Sequence, residues 1–415
     1  MALVEGLDYQ MEVILSGAAE CLPEGDMRDK VERAIREDTP LKVKFGVDPT
    51  RPDLHLGHAV PLRKLRQFQD LGHTAILLIG DFTARVGDPS ARDVTRPQLT
   101  VEEVRENAET YAKQAFRILD KDRTVLDYNS RWLAPLTFEE LLKLTSYFTV
   151  ARMLERDDFS KRYADNVSIG LHEFLYPVMQ AYDSVALEAD VEIGGTDQIF
   201  NLLAGRELQR VMGQEPQCVL TLPILVGLDG EKKMSKSLDN HVGLTDPPEE
   251  MFGKLMSLDD HLMPEYYRLT TALEPSETRA IVEELENGKR HPAEAKRRLA
   301  REVVKLYQGD EAAAEAENHF DRVFKEKELP HDIPVIKVQT SELKEGKIWV
   351  PRLLMLAGLA SSTSEGRRLI NQGGVKLDEK EVNDVEMELE ADCLDGLVIQ
   401  KGKRHFRRLR YDTGK

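Results

Sequence analysis

Residues 41–82 read LKVKFGVDPTRPDLHLGHAVPLRKLRQFQDLGHTAILLIGDF, and their pattern changes three times. LKVKFGV is a hydrophobic stretch of strand length, DPTRPD is turn-forming, and LHLGHAVPLRKLRQFQDLG repeats its apolar residues with a helical period. TAILLIGDF then has the length and composition of a strand buried on both faces, as in a parallel sheet covered by helices. Strand, helix, strand in this order predicts an α/β nucleotide-binding domain.

Outward from this stretch the pattern continues. VEEVRENAETYAKQAFRIL reads as a helix, TVLDYN as a strand, residues 138–153 as largely helical, and LHEFLYPVMQAYDSVALEA as another helix. VEIGGTDQIFNLLAGRELQRVMG reads as a short strand, a glycine turn and a helix, and QCVLTLPILVG as a last strand. The expectation is a Rossmann-like parallel-sheet catalytic domain over 1–245, with a connecting helical insertion at about 125–190. A charged, helix-rich domain follows over 246–328. KEKELPHDIPVIKVQTSELKEG, with two prolines, reads as a linker over 329–346. A small α+β domain closes the chain over 347–415.

At 415 residues the chain exceeds what one core usually organises, and 41% hydrophobic beside 32% charged residues is the balance of a soluble globular protein. The N-terminus lacks a basic start and a continuous apolar core, and no apolar run reaches the length of a spanning helix, so a cytoplasmic protein without membrane contact is expected. Cys21, Cys218 and Cys393 are too widely spaced for a metal or redox pattern and read as buried free thiols; no structural metal is expected. The net charge of -17 argues against indiscriminate nucleic-acid binding, yet KGKRHFRRLR at 401–410 holds no acid. Its Lys403, Arg404, Arg407 and Arg408 suit a phosphate-binding strip, although taken by themselves they fit a solvated charged terminus better.

Two short strings carry chemistry. His55, Leu56, Gly57 and His58 fall where a turn becomes a helix, a place whose free N–H groups and dipole attract anions. The imidazoles add donors toward a triphosphate, and Gly57 presents no side chain to an adenine ring. A pair of helix-capping histidines explains HxGH alone equally well. Lys233, Met234, Ser235, Lys236 and Ser237 follow a predicted strand, where two lysines can neutralise the charge that builds as pyrophosphate departs. A particular five-letter string arises by chance on the order of once in ten thousand chains, so a plain basic loop is the weaker explanation. Tyr176, Gln180 and Asp183 sit at i, i+4 and i+7, which places an aromatic, an amide and a carboxylate on one helix face.

HxGH early and KMSKS late, on strand-to-loop junctions, are the signatures of class I aminoacyl-tRNA synthetases. The strings DPTRPDLHLGH, GDPS, YPVMQAYDS, GGTDQ and KMSKS, in this order, resemble the bacterial tyrosyl members across nearly the whole chain. The resemblance implies ATP-dependent charging of tRNA(Tyr) with L-tyrosine through a tyrosyl-adenylate, with tryptophan the alternative amino acid. A decayed, non-catalytic relative would be expected to have lost one signature, and a smaller nucleotidyltransferase would leave the C-terminal parts unexplained.

By the same resemblance, Tyr176 and Gln180 hold the substrate ammonium, Asp183 accepts a hydrogen bond from the phenol, and Asp88 and Gln198 are further amino-acid contacts. Gly195 and Asp197 match ribose contacts, and Asp48 and Thr50 match groups near the adenosine and phosphates. Thr50, His55, His58, Lys233 and Lys236 then form the catalytic set, with Mg2+ carried on ATP. Arg92 and Arg96 match a mobile basic loop. Lys44 departs from the family, which often has a tyrosine there donating to the phenol; either Asp183 bears more of the recognition or the ammonium takes the tyrosine's place. KIWVPRLLMLAGLASSTSEGRRLINQGGVKLDEKEV, with Arg367 and Arg368, resembles the RNA-binding domain first known from a ribosomal small-subunit protein. A homodimer joined near residues 138–165 is also implied.

Overall fold

The computed structural model describes residues 3–49, 54–89, 100–324, 333–402 and 405–412. Thr50, Arg92, Arg96, Lys403 and Arg404 lie outside the described residues. The chain forms two compact units, 1–317 and 318–415.

The first unit is organised by a sheet of β1 (Glu20–Leu22), β2 (Lys42–Val47), β3 (Thr74–Ile79), β4 (Thr124–Tyr128), β5 (Val191–Gly195) and β6 (Cys218–Leu222), in the order β1-β6-β5-β2-β3-β4. β2 runs parallel to both β3 and β5, β3 to β4, and β5 to β6. Every residue from Ala75 to Ile79 is buried, which is why TAILLI shows no alternation: helices cover both faces. The sheet is mixed rather than purely parallel, because β1 pairs antiparallel with β6 at one edge. ECL is too short to show strand periodicity.

Around this sheet lie α1 (Leu7–Leu15), α2 (Glu24–Glu37), α3 (Leu56–Asp70) and α4 (Val101–Ala115). The connecting helices are α5 (Ser130–Leu133), α6 (Phe138–Thr145), α7 (Val150–Met153), α8 (Asp157–Ala164), α9 (Leu171–Leu187) and α10 (Ile199–Val211). α11 (Pro248–Met256), α12 (Met263–Thr270), α13 (Pro275–Glu286), α14 (Pro292–Gln308) and α15 (Asp310–Phe324) make up the helix-rich stretch. Up to Glu317 this stretch is packed into the same compact unit as the sheet rather than standing apart. Polar bonds join the two parts: the Tyr266 hydroxyl donates to the Val226 carbonyl at 2.7 Å, and buried Arg63 on α3 donates to the Thr271 carbonyl at 2.6 Å.

Chain order reverses between β2 and β5: the chain leaves β2 for β3 and β4 on one side and returns through β5 and β6 on the other. In an open α/β sheet the crevice beyond the carboxyl ends of such strands is the natural ligand site.

The second unit contains β7 (Val335–Gln339), β8 (Lys347–Trp349), α16 (Val350–Leu356), α17 (Thr363–Asn371), β9 (Val375–Leu377), β10 (Lys380–Glu381), β11 (Glu388–Glu390), β12 (Val398–Lys401) and β13 (His405–Asp412). Its main sheet runs β10-β9-β12-β13-β7, and β8 pairs with β11. Ile348, Leu353, Leu354, Ile370, Val375, Ile399 and Leu409 share its core. The linker expected over 329–346 is therefore corrected. Val335–Gln339 is an edge strand paired in parallel with β13, and Val338 reaches the core. The uniform burial expected of the cysteines is also corrected: Cys218 is buried in β6, Cys21 is half-buried, and Cys393 is exposed on a surface turn, all three free.

Candidate active site

A cavity of about 790 Å3 opens where β2, β3, β5 and β6 end. That volume lies within the range of small-ligand sites. Asp48, His55, Gly57, His58, Asp88, Tyr176, Gln180, Asp183, Gly195, Asp197, Gln198, Lys233 and Lys236, each singled out in the sequence, all line it.

His55 is the residue before the first turn of α3, and its backbone N–H donates to His58 Nδ1 at 3.3 Å. The two imidazoles lie 3.9 Å apart between centroids. A far stretch of chain holds this turn in place. Leu56 N–H donates to the Val242 carbonyl at 2.9 Å, and Leu244 N–H to the Leu54 carbonyl at 3.0 Å, so the HxGH turn is pinned to the segment just after KMSKS. The KMSKS loop is secured in turn by buried Asn240, whose side-chain oxygen accepts from Ser235 N–H at 2.7 Å and whose amide donates to Asp229 at 2.9 Å. Met234 is buried as the loop's anchor, while Lys233 and Lys236 remain exposed. A Cβ on Gly57 would crowd the His55 ring at 3.1 Å, while Met234 Cβ at 3.6 Å would be in ordinary contact, so glycine leaves room for the His55 imidazole.

The opposite wall is the face of α9. The Tyr176 hydroxyl donates to Asp48 Oδ2 at 3.0 Å, and Thr83 Oγ1 donates to Asp48 Oδ1 at 2.7 Å. A Cβ on Gly80 would fall 2.2 Å from Asp48 Oδ1, so this carboxylate can be seated only against a glycine. Burial, and then the Asp48 carboxylate, push the Tyr176 hydroxyl well above its ordinary range, which leaves it a neutral donor. Asp183 accepts from Trp132 Nε1 at 2.7 Å and from Asn129 Nδ2 at 3.2 Å. Burial pushes its carboxyl up to about 7, against the opposing pull of Lys44 and of those two donors.

Lys44 occupies the pocket floor, buried, with its ammonium 2.9 Å from Glu192 Oε1 and 2.7 Å from Ser184 Oγ. Glu192 also accepts from Gln180 at 3.2 Å and from Gln217 at 2.5 Å. The ammonium is thus committed to the protein, and this buried ion pair sets the orientation of Gln180. Gln198 donates to Asp88 at 2.8 Å and accepts from Asn201 at 3.0 Å. Buried Arg156 braces both, 3.5 Å from Asp88 and 3.1 Å from Asn201.

Sequence reading missed Asn129, Trp132, Arg156, Glu192 and Asn240. Asn129 follows the end of β4, and carboxyl ends of parallel strands are where site residues concentrate, so position alone could have marked it. Trp132, Arg156 and Glu192 act through residues remote in sequence and carry no local signal. The proposed RNA contacts are divided. Arg367 pairs with Glu386 and lies 5.0 Å from the Trp349 ring centre, and Arg407 donates to the Ala357 and Phe406 carbonyls at 3.2 and 2.8 Å. Arg368 and Arg408 are exposed.

Comparison with known proteins fits this geometry. The family described as tRNA synthetases class I (W and Y) matches residues 36–325, and the S4 domain family matches 349–392. The chain is 54% identical to the tyrosine–tRNA ligase of Moorella thermoacetica over 400 residues, covering 96% of this chain and 95% of that protein. Against the tyrosine–tRNA ligase of Thermotoga maritima it is 49% identical over 402 residues, covering 97% of each. Among solved structures, tyrosyl-tRNA synthetase of Archaeoglobus fulgidus complexed with L-tyrosine has a TM-score of 0.59 at 24% identity, covering 75% of this chain and 100% of that one. The C-terminally truncated mitochondrial enzyme of Aspergillus nidulans has a TM-score of 0.62 at 22% identity, covering 77% and 95%; both likenesses concern the fold. With both signatures facing one cavity and relatives matched nearly end to end, the chain belongs to the tyrosine–tRNA ligase family of class I tRNA synthetases.

Proposed function

We propose that the chain attaches L-tyrosine to tRNA(Tyr) in two steps: the tyrosine carboxylate attacks the α-phosphorus of ATP, and the tyrosyl group of the adenylate then passes to the terminal ribose of the tRNA. The observation that carries this reading is the convergence of HxGH, KMSKS and the Tyr176–Gln180–Asp183 face on one cavity. No side-chain nucleophile is needed. His55, His58, Lys233 and Lys236 meet the phosphates and stabilise charge on departing pyrophosphate, with Mg2+ arriving on ATP and Thr50 assisting. Gly57, Gly195 and Asp197 meet the adenosine, and Arg92 and Arg96 close over the pyrophosphate.

Asp183 accepts from the substrate phenol, Tyr176 and Gln180 hold its ammonium, and Asp88 and Gln198 complete the amino-acid site. Phenylalanine is rejected because it would leave that buried acceptor unpaired, a discrimination for which tyrosyl enzymes are themselves the standing example. Lys44 acts by keeping Glu192 and Gln180 in register rather than by contacting the phenol.

The S4-type unit holds the tRNA through exposed basic groups, Arg368 and Arg408 foremost. The same proposal includes a cytoplasmic location and a homodimer. Phe138, Val150 and Leu171 are 75%, 68% and 83% exposed around the region of the expected contact, which suits burial against a second copy. Among the described residues no helix is long and apolar enough to cross a membrane. Exchange of labelled pyrophosphate into ATP, run separately with tyrosine, tryptophan and phenylalanine, tests the reading: exchange is expected with tyrosine alone, and equal exchange with tryptophan would overturn it.

A further inference from the structure

A second cavity, of about 430 Å3, lies against the C-terminal half of α3, between α1, the residues after α4, the segment following α12 and the end of α14. Its charges are unevenly matched. Arg63, Arg66 and Arg117 line it beside only two acids, Asp70 and Glu274. Asp70 is bound to Arg66 at 2.8 Å, and Glu274 accepts from the Tyr9 hydroxyl at 3.3 Å. Among the described residues, Arg63 and Arg117 bond only to main-chain carbonyls, those of Thr271 and Leu244.

Arg63 is 8% exposed, and a guanidinium buried without a carboxylate carries an uncompensated desolvation cost that an incoming anion would relieve. Beside it Tyr307 is 9% exposed, and its hydroxyl has no hydrogen-bond partner among the described residues. A buried hydroxyl without a partner is uncommon and destabilising, a cost that a ligand accepting its proton would relieve. Burial pushes that hydroxyl up to about 12 despite the neighbouring Arg63 charge, so it stays protonated and able to donate. The remaining walls include Val13, Ile118 and Leu306, which offer an apolar surface to the body of a ligand.

We propose that this cavity is a binding site, separate from the catalytic pocket, for a small organic anion with a phosphate or carboxylate head on an apolar body. The head is held by the Arg63 and Arg117 guanidinium groups and by the Tyr307 hydroxyl. Two buried donors, Arg63 and Tyr307, beside the exposed Arg117 at a pre-formed cavity favour such a ligand, and a neutral one would leave the Arg63 charge unpaired.

The test uses the full chain with three probes of similar size: phenyl phosphate, benzoate and neutral benzyl alcohol. Calorimetry is expected to find saturable binding of at least one anion and none of the alcohol, and the preferred anion identifies the head group. Hydrogen exchange in its presence is expected to slow around residues 63–71, 117–118 and 271–275. Tyr307→Phe is expected to weaken binding threefold or more, Arg117→Gln by about tenfold, and Arg63→Met to abolish it. Tyr307→Phe removes only an unpartnered hydroxyl and so decides the matter even where Arg63→Met fails to fold. Absence of saturable anion binding, equal binding of benzyl alcohol, or protection confined to residues 55–58 and 233–237 with affinity unchanged in the variants would each overturn the proposal.

Discussion

In the catalytic pocket Lys44, Glu192, Asp183 and Tyr176 are buried or nearly so, and each has a hydrogen-bonded partner. In the C-terminal unit, Arg368 and Arg408 extend into solvent from α17 and β13. The first arrangement suits discrimination, since buried donors and acceptors penalise any ligand that leaves them unmatched. The second suits phosphate attraction, which is long-ranged, tolerant of geometry and weakened by salt. Chemistry and RNA affinity should therefore be separable by where the chain is cut.

The cut belongs after Phe324, because a break between Gln339 and residue 346 would leave β7 without β13. The shortened protein is expected to fold and to keep tyrosine-dependent pyrophosphate exchange, while tRNA charging falls on the order of a hundredfold at physiological salt. Both reactions measured across a salt series check it. Charging at the full-length rate would show that the C-terminal unit is dispensable and would break the comparison.

Within the pocket, Lys236→Ala is expected to slow adenylate formation well over tenfold with little change in tyrosine affinity, because its charge acts as pyrophosphate leaves. Single-turnover kinetics beside equilibrium tyrosine binding separate the two. Equal losses in both would place Lys236 on the ground-state complex instead. Asp183→Ala is expected to lower the preference for tyrosine over phenylalanine at least tenfold while sparing ATP affinity, read as the ratio of kcat/KM values in exchange.

A pH series sharpens the same assignment. The Asp183 carboxyl titrates near 7 in the empty folded protein, above its value in the unfolded chain. Protons are thus taken up on folding between the two values. The stability this group contributes is present at low pH and is lost as pH rises through about 7. Tyrosine binding runs the other way, since the phenol is best accepted by the ionised form. Tyrosine affinity is expected to fall as pH drops below about 7, by at most about tenfold per unit, with phenylalanine affinity nearly flat. Parallel titrations with both amino acids measure this, and identical profiles would remove Asp183 from phenol recognition.

The central strands were legible because burial on both sides leaves runs such as TAILLI with no polar interruption. β1 was not, being a three-residue edge strand whose partner lies about two hundred residues away, and β7 was hidden by the prolines and charges around it. The motif residues could be read from strings and helical spacing. Their supports could not: Trp132 reaches Asp183 and Arg156 reaches Asp88 only after the connecting helices fold back, and no local pattern records such a meeting. KGKRHFRRLR shows the opposite failing, for its uniform basic composition hides a division of labour that strand alternation imposes.

Arg407 and Arg408 are adjacent in β13 and differ in where their side chains go. Arg407 donates to the carbonyl that ends α16 and to that of Phe406, tying helix to sheet, whereas Arg408 is exposed. Arg408→Ala is therefore expected to reduce the salt slope of tRNA binding by roughly one phosphate contact with unfolding of the C-terminal unit unchanged. Arg407→Ala is expected to leave that slope nearly intact and to destabilise the unit by about 1 kcal/mol, the usual net worth of the bonds it loses. Binding isotherms at several salt concentrations, set beside thermal unfolding of both variants, distinguish the two roles. A slope reduced equally by both substitutions would mean that Arg407 gives up its carbonyls when RNA arrives, and that the contrast between fixed and solvent-facing charge holds only for the free protein.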